Sequence, residues 1–471
     1  MKFLLRPSRV TRPAGSAPEA ARGGSPAVLG AALLGFFLIC LDALIVTVAL
    51  PGIGRSLGGG VSGLQWVVDG YTLVFAALML SAGTLSDRIG ARRAYGGGLV
   101  AFALASATCG LAPSLGVLVA ARLVQGGAAA VMMPTSLALV RQGFPDQAKR
   151  ARAIAVWTVG GAVAVAAGPV LGGALTASLG WRWIFFVNLP ADLLALALLA
   201  RVPASGRLSS RLDAAGQVTA MVTMGALTYG VIEGGAGGFG RPSVVASLLV
   251  AAAAAAAFLA AQAKGAHPML PLPLFRSRVV AVSLVVGFML NAAYYGGVFV
   301  FSLYLQQERG QTALHAGLLF IPMTALVAVV NLASAKLAEL FGPRVPMVAG
   351  QLVGTAGLLA LLTVGAHTGV WSVAALMVPV GLGGALAVPA LTALLLDAVP
   401  GDRAGTASAV LNTGRQAGGA IAVAAFGALL SGADTFLTGM RWSMSLAAAG
   451  LLLTAGATLT LPRGGRRAAK T

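Results

Sequence analysis

The chain has 471 residues, 58% of them hydrophobic and only 10% charged, with a mean hydropathy of +0.89. Soluble domains carry roughly a quarter charged residues, so this balance excludes an ordinary soluble protein and points to a polytopic membrane protein. The net charge of +19 does not indicate a nucleic-acid binder, because the basic residues are scattered among the breaks between apolar segments instead of clustering on one face or in one tail.

Residues 1–27 are basic and rich in Pro, Gly and Ser, and read as a cytosolic tail. The apolar run that follows is too long for a signal-peptide core, so it is expected to stay as the first span. Fourteen candidate spans follow in order, at 28–50, 64–85, 95–112, 114–140, 153–178, 183–200, 213–232, 243–262, 279–305, 314–337, 346–366, 370–395, 405–430 and 441–461. With the N-terminus in the cytosol, 25 of the 32 Lys and Arg fall in cytosolic stretches and five in external loops, with Arg122 and Arg415 inside spans. That bias is the one expected of cytosolic loops, and a single missed helix would invert it downstream. The 64 glycines fit close helix packing in lipid. Cys40 and Cys109 both sit inside apolar runs, where neither a disulfide nor a metal site is expected.

The chain repeats itself. The stretch 126–145, GGAAAVMMPTSLALVRQGFP, resembles 381–400, GLGGALAVPALTALLLDAVP, at a spacing of 255, aligning Gly126 with Gly381 and Pro134 with Pro389. LSDRIGAR (85–92) resembles LAELFGPR (337–344) at a spacing of 252, aligning Gly90 with Gly342 and Arg92 with Arg344. Both pairs follow spans of the same orientation, so the repeat is parallel. The parsing is a six-helix N-terminal bundle (28–200), a linker with two inserted helices (201–278), a six-helix C-terminal bundle (279–461) and a cytosolic tail (462–471). Such halves around a central site are the architecture of alternating-access transporters.

Three groups of residues carry chemistry. Asp42 lies in FLICLDALIVTVALP, in the middle of an apolar span, where a carboxylate costs about 2.5–3.5 kcal/mol to insert. Asp42 is nine residues before Pro51 and Arg122 nine after Pro113, which puts both about 13 Å below the outer boundary, at one depth. Opposite charges at one depth in a low dielectric are expected to interact, directly or through water. Burial favours the neutral carboxyl and a nearby arginine the ionised one, so Asp42 can load a proton in one conformation and release it in another. Asp69, about five residues into span 2, faces either the outer cavity or headgroup-level water. The second group is the short turn holding Gly83, Asp87, Arg88, Gly90 and Arg92, whose charges can pair across helix ends and lock the cytosolic side, or only set orientation. The third is GPVLGG, with Gly168, Pro169, Gly172 and Gly173, where Pro removes a backbone donor and the glycines leave a flat surface suited to a seam or to plain packing.

Taken together, these residues resemble the major facilitator superfamily, and within it the fourteen-span drug:proton antiporters. GTLSDRIGARR is similar to the family's cytosolic signature, departing at Ala91. LDALIVTVALP resembles the subgroup's first-span motif at Leu41, Asp42, Val48, Ala49, Leu50 and Pro51, departing at Leu44 and Thr47. RLVQGG matches at Arg122, Gln125 and Gly126, and GPVLGG matches the core of the antiporter motif, with Ala164 in place of an expected Gly. WRWIFFVNLP (181–190) and NTGRQAGG (412–419) also look typical. The resemblance spans about 28–461 and implies spans 1 and 4 lining a central cavity. It implies proton coupling through Asp42, Arg122 and Asp69, and gating by the turn and GPVLGG.

For substrate, Asp42 and Asp69, with Asn291, Tyr294 and Tyr295 of span 9, are the candidates; the two acids lean toward cationic or amphiphilic compounds, and the aromatic rings either stack on them or serve core packing alone. Asp192 is expected to hydrogen-bond locally, and Arg415 falls near the cytosolic end without a role. An enzyme needs clustered His, Cys or carboxylates, yet His267, His315 and His367 lie in loops or at span ends on opposite sides of the membrane. No nucleophile motif, metal spacing or phosphate loop appears, so neither cofactor nor ATP is expected. The expected protein is a multi-pass protein of the cytoplasmic membrane, acting as a monomer on a small-molecule substrate and protons. A proton-coupled importer is the competing reading. Five Lys against 27 Arg point to a GC-rich bacterial genome.

Overall fold

The computed structural model describes residues 26–206, 213–265, 268–365, 367–400 and 403–461. The terminal tails up to residue 25 and from 462, with Arg207, Arg211 and His267, lie outside the described residues. Among the described residues the chain is helical, without strands. Fourteen membrane helices run α1 (Pro26–Leu57), α2 (Gly60–Ile89), α3 (Ala91–Gly110), α4 (Leu115–Gly143), α5 (Gln147–Ser178), α6 (Trp183–Ala200) and α7 (Ala214–Gly237). They continue α8 (Pro242–Lys264), α9 (Arg278–Glu308), α10 (Ala313–Phe341), α11 (Arg344–Thr363), α12 (Val370–Asp397), α13 (Ala404–Gly432) and α14 (Phe436–Leu459). Each expected span falls on one of them. Twelve are long and apolar enough to cross a membrane on length and composition alone; the exceptions are α3, which opens on Arg92 and Arg93, and α13, which carries Arg415 among Gly, Ser and Thr.

Local signals set the helix ends. Asp146 and Thr435 cap α5 and α14 by accepting the backbone N–H of Lys149 and Thr438 at 2.8 and 3.2 Å. Asp213 caps α7 and ties it to α8 and the following linker. Burial pushes its carboxyl up, but hydrogen bonds from the Gln262 amide and the Gly216 and Met269 N–H groups outweigh this and hold it below its ordinary value. α6 is interrupted at Val187, where Pro190 has no N–H to give the carbonyl of Phe186.

The parallel repeat is present in three dimensions. Gly90 joins α2 to α3 at φ +90°, and Gly342 joins α10 to α11 at φ +84°, a region that only glycine enters cheaply. A Cβ at Gly126 would lie 2.2 Å from the Tyr71 carbonyl oxygen, and one at Gly381 2.6 Å from that of Met323. The two glycines therefore seat α4 on α2 and α12 on α10 in the same way. Helices α1–α6 and α9–α14 form two six-helix bundles, and the inserted pair α7–α8 packs through α7 against α2 and α13.

Fourteen spans bring α1 and α14 to the membrane from the same end, called here the termini end. Among the described residues, every hydrogen bond between the bundles lies toward the opposite, far end. Gln65 Nε2 donates to the carbonyls of Val423 and Ala424 at 3.0 and 2.7 Å. Ser302 and Gln306 donate to the carbonyls of Thr47 and Val48 at 2.6 and 2.9 Å. Beside them α5 crosses α10 at touching distance: a Cβ on Gly173 would sit 2.4 Å from the Ala313 carbonyl oxygen, and one on Gly317 2.3 Å from that of Pro169. Among the described residues the bundles are thus hydrogen-bonded to each other at the far end only.

Candidate functional site

Asp42 and Arg122, placed at one depth by counting residues, meet as an ion pair between Oδ2 and Nη1, the one ion pair among the described residues. Both are enclosed, at 0% and 1% exposure. Three further residues complete the cage. Gln125, one turn beyond Arg122 on α4, accepts from Arg122 Nη1 at 2.9 Å and donates to Asp42 Oδ1 at 2.9 Å. Asn188, at the break in α6, donates to the same Oδ1 at 3.1 Å and to Ser106 of α3 at 2.9 Å, and the Ser106 hydroxyl donates in turn to the carbonyl of Phe185. Arg122 Nε is held by the carbonyl of Val67 at 3.0 Å, and the guanidinium lies 4.4 Å from the Tyr71 ring centroid. Four helices (α1, α3, α4 and α6) thus converge on one carboxylate, whose oxygens are saturated with donors. An enclosed pair of this kind is costly to break, about 3–5 kcal/mol if one partner is removed.

Two other acids sit near this depth without such partners. Asp69 is the tenth residue of α2, about 14 Å along the helix. It is 0% exposed and neither oxygen has a hydrogen-bond partner among the described residues, so it is not at headgroup level. Asp192 is equally enclosed and also unpartnered, which removes the local hydrogen-bonding role expected of it. In this conformation neither Asp42 nor Asp69 has surface on the space between the bundles.

The C-terminal candidates form a second cluster. Asn291 is 6% exposed. Tyr294 and Tyr295 are half-buried, their rings edge to face at 5.4 Å between centroids. Arg415 joins them, eleven residues or about 16 Å into α13, and so sits deep in the bundle, not near its end. Its Nε donates to Asn291 Oδ1 at 3.2 Å.

At the termini end, Asp87 and Arg88 are exposed and the expected ion pairs are absent among the described residues. Arg92 instead donates from Nη2 to the Ala200 carbonyl at the end of α6, 3.1 Å away, and from its N–H to Ser205. A Cβ at Gly90 would press on the Ser205 carbonyl at 3.0 Å, whereas Gly83 has open space around it. Asp87→Asn is expected to slow turnover several-fold while the amount of folded protein stays unchanged, because its charge acts on the equilibrium between conformations. Single-turnover transport in vesicles checks this, and a normal rate would reduce the turn to an orientation signal. In GPVLGG, Gly168 and Gly172 seat α5 on α1, with a Cβ at Gly172 falling 2.5 Å from the Ile45 carbonyl, while Pro169 and Gly173 face α10.

No cluster of three His, Cys, Asp or Glu side chains occurs among the described residues. Two parallel-repeat bundles, joined at one end around enclosed charges, define a membrane transport protein of the two-bundle kind. The chain belongs to the Major Facilitator Superfamily, whose family model matches residues 32–423. It is 41% identical to multidrug resistance protein Stp of Mycobacterium tuberculosis over 84% of this chain and 74% of that protein. It is 36% identical to the methylenomycin A resistance protein of Streptomyces coelicolor over 84% of each chain. Among solved structures it resembles a POT family transporter (TM-score 0.70, 13% identity, 92% of this chain and 96% of that one). It also resembles a bacterial homologue of the lysosomal transporter Spinster (TM-score 0.64, 18% identity, 93% and 97%). At these identities the structures speak for the fold alone.

Proposed function

We propose that this protein exports amphiphilic, antibiotic-like small molecules across the cytoplasmic membrane in exchange for protons, as a single chain working by alternating access. The observation that carries the reading is the enclosed Asp42–Arg122 pair, set in one of two bundles that, among the described residues, are hydrogen-bonded to each other only at their far end. Protonation of Asp42 cancels the pair's attraction, frees α1 to shift against α4, and so ties a proton to the movement of the bundles. Asp69, enclosed and unpartnered, is the second proton site. Substrate contact falls to Asn291, Tyr294 and Tyr295 on the half-buried face of α9, with the turn 83–92 and GPVLGG gating the two ends. The bias of Lys and Arg supports cytosolic termini, which puts the hydrogen-bonded far end on the external side. The resistance and export names of the relatives favour export over proton-coupled import.

The test uses everted membrane vesicles from cells expressing the protein. Acidifying the lumen is expected to drive uptake of a drug to which expression confers resistance, and a protonophore should collapse it. An importer would move substrate the other way. In the same vesicles an impermeant maleimide should label cysteine at Leu5→Cys or Gly465→Cys, and fail to do so in intact cells; the reverse pattern overturns the orientation.

A further inference from the structure

Among the described residues, Arg415 is the one deeply placed cation that the proton-coupling cage does not absorb. The other, Arg122, has a carboxylate, an amide oxygen, a backbone carbonyl and an aromatic face, and is enclosed. Arg415 has only amide oxygens, Asn291 Oδ1 at 3.2 Å and Asn412 Oδ1 at 3.5 Å, and no carboxylate within ion-pairing distance among the described residues. No acid is available in its own bundle at that depth: of the acids on α9–α14, Glu308, Glu339 and Asp397 all lie in the last turns of their helices. The acids at depth, Asp42, Asp69 and Asp192, belong to the other bundle and are enclosed there. A guanidinium in the bilayer interior with no counter-charge is costly, and such residues face an interior cavity or pathway.

The side chain is nonetheless held firmly. Its stem lies over Gly287, where a Cβ would come within 3.1 Å of Arg415 Cγ, and Gly418 and Gly419 bring α13 against Phe288 and Tyr295 of α9. Asn291 then fixes the guanidinium edge. Cys40 and Asp42 are two residues apart, about 200° around the helix, so Cys40 lies on the face of α1 turned away from the proton cage. Arg415, Asn412, Tyr294 and Tyr295 are all half-buried, and so keep part of their surface accessible while the two rings pack against the core.

Resting on the export reading above, we propose that Arg415 is a substrate-binding residue that pairs with an acidic group, a carboxylate or an acid of similar geometry, on an amphiphilic aromatic substrate. Tyr294 and Tyr295 take the apolar ring, and Asn291 and Asn412 steer the guanidinium fork toward the anion. The preferred substrates are then anionic or zwitterionic, the opposite of what Asp42 and Asp69 suggest when counted as cavity residues. The two kinds of charge have separate work: acids in the N-terminal bundle hold protons, and the arginine in the C-terminal bundle holds substrate. A bidentate, charge-assisted pair is the geometry for which Arg is suited.

The experiment measures equilibrium binding to the full chain in nanodiscs at pH 7.5, using 1-naphthoate, its methyl ester and 1-naphthylmethylammonium. The acid is expected to bind at least tenfold more tightly than the ester or the amine, which have the same ring without the negative charge. Arg415→Gln should remove that preference and leave ester affinity within about twofold, and Arg415→Lys should restore part of it. Ester binding equal to acid binding on the unsubstituted protein overturns the proposal without any variant, as does an unchanged acid preference in Arg415→Gln. Because binding is read without a proton gradient, a failure of pH-driven export in vesicles would leave this result standing, and the two readings fail separately.

Discussion

Asp42→Asn is expected to reduce transport driven by an imposed pH gradient to the level of empty vesicles, while substrate exchange at equal pH on both sides persists. Asn keeps the volume and one acceptor oxygen but cannot titrate. In the cage that acceptor can serve either Arg122 or the Gln125 and Asn188 amides, which now converge on Asp42. The new NH2 faces donors, so the variant should fold with reduced stability. The double variant Asp42→Asn/Arg122→Gln has no charge in the cage and should recover the yield of folded protein without recovering pH-driven transport. That separation distinguishes a proton carrier from a static ion pair holding the bundle together. Full pH-driven uptake by Asp42→Asn would place the coupling elsewhere, with Asp69 the next candidate.

The pair itself was legible in the chain because depth along a helix is simple arithmetic: nine residues from Pro51 and nine from Pro113 give one level. The repeat was legible for a similar reason, since Gly90 and Gly342 answer the same backbone demand at φ +90° and +84°. What could not be read is which way each face turns. Membrane helices are apolar all round, so no periodicity marks the side of α1 that carries Asp42 into the cage and Cys40 out of it. Ser106 and Asn188 come from helices distant in sequence, although Gln125, one turn beyond Arg122, was within reach of an i, i+3 argument. Asp69 seemed shallow because the apolar run begins at 64, while the helix begins at Gly60 and carries it deeper. Ion pairs in the turn 83–92 were expected from composition, but Asp87 and Arg88 are exposed to solvent, and Arg92 turns to backbone and hydroxyl acceptors at the end of α6 and in the loop after it. Arg415 was passed over because a basic residue reads as a marker of the membrane boundary, and only its amide partners on α9 and α13 show it held in the interior.

Gly173→Leu is expected to hold the far end open and cut export by at least tenfold. In the present conformation a Cβ at Gly173 would lie 2.4 Å from the Ala313 carbonyl oxygen and 2.9 Å from Leu314 Cα, both backbone atoms that cannot swing aside. Only separation of α5 from α10 relieves the clash, and that separation is the opening of the seam. Overpacking of this kind costs about 1–3 kcal/mol or more, and it falls on the far-end-closed state alone, since nothing touches Gly173 once the helices part. Each 1.4 kcal/mol is a tenfold change in an equilibrium, so the population moves about 10- to 100-fold toward the outward-open state. Spin labels at residues 59 and 433, on the far-end loops of the two bundles, with Cys40 and Cys109 replaced by Ala, read the change as a longer interlabel distance. Gly172→Leu is the matched control: its clash is with the Ile45 carbonyl of α1, inside one bundle, so it should lower stability without lengthening that distance. If Gly173→Leu leaves both the distance distribution and the export rate unchanged, the glycine serves packing and the seam opens by another route.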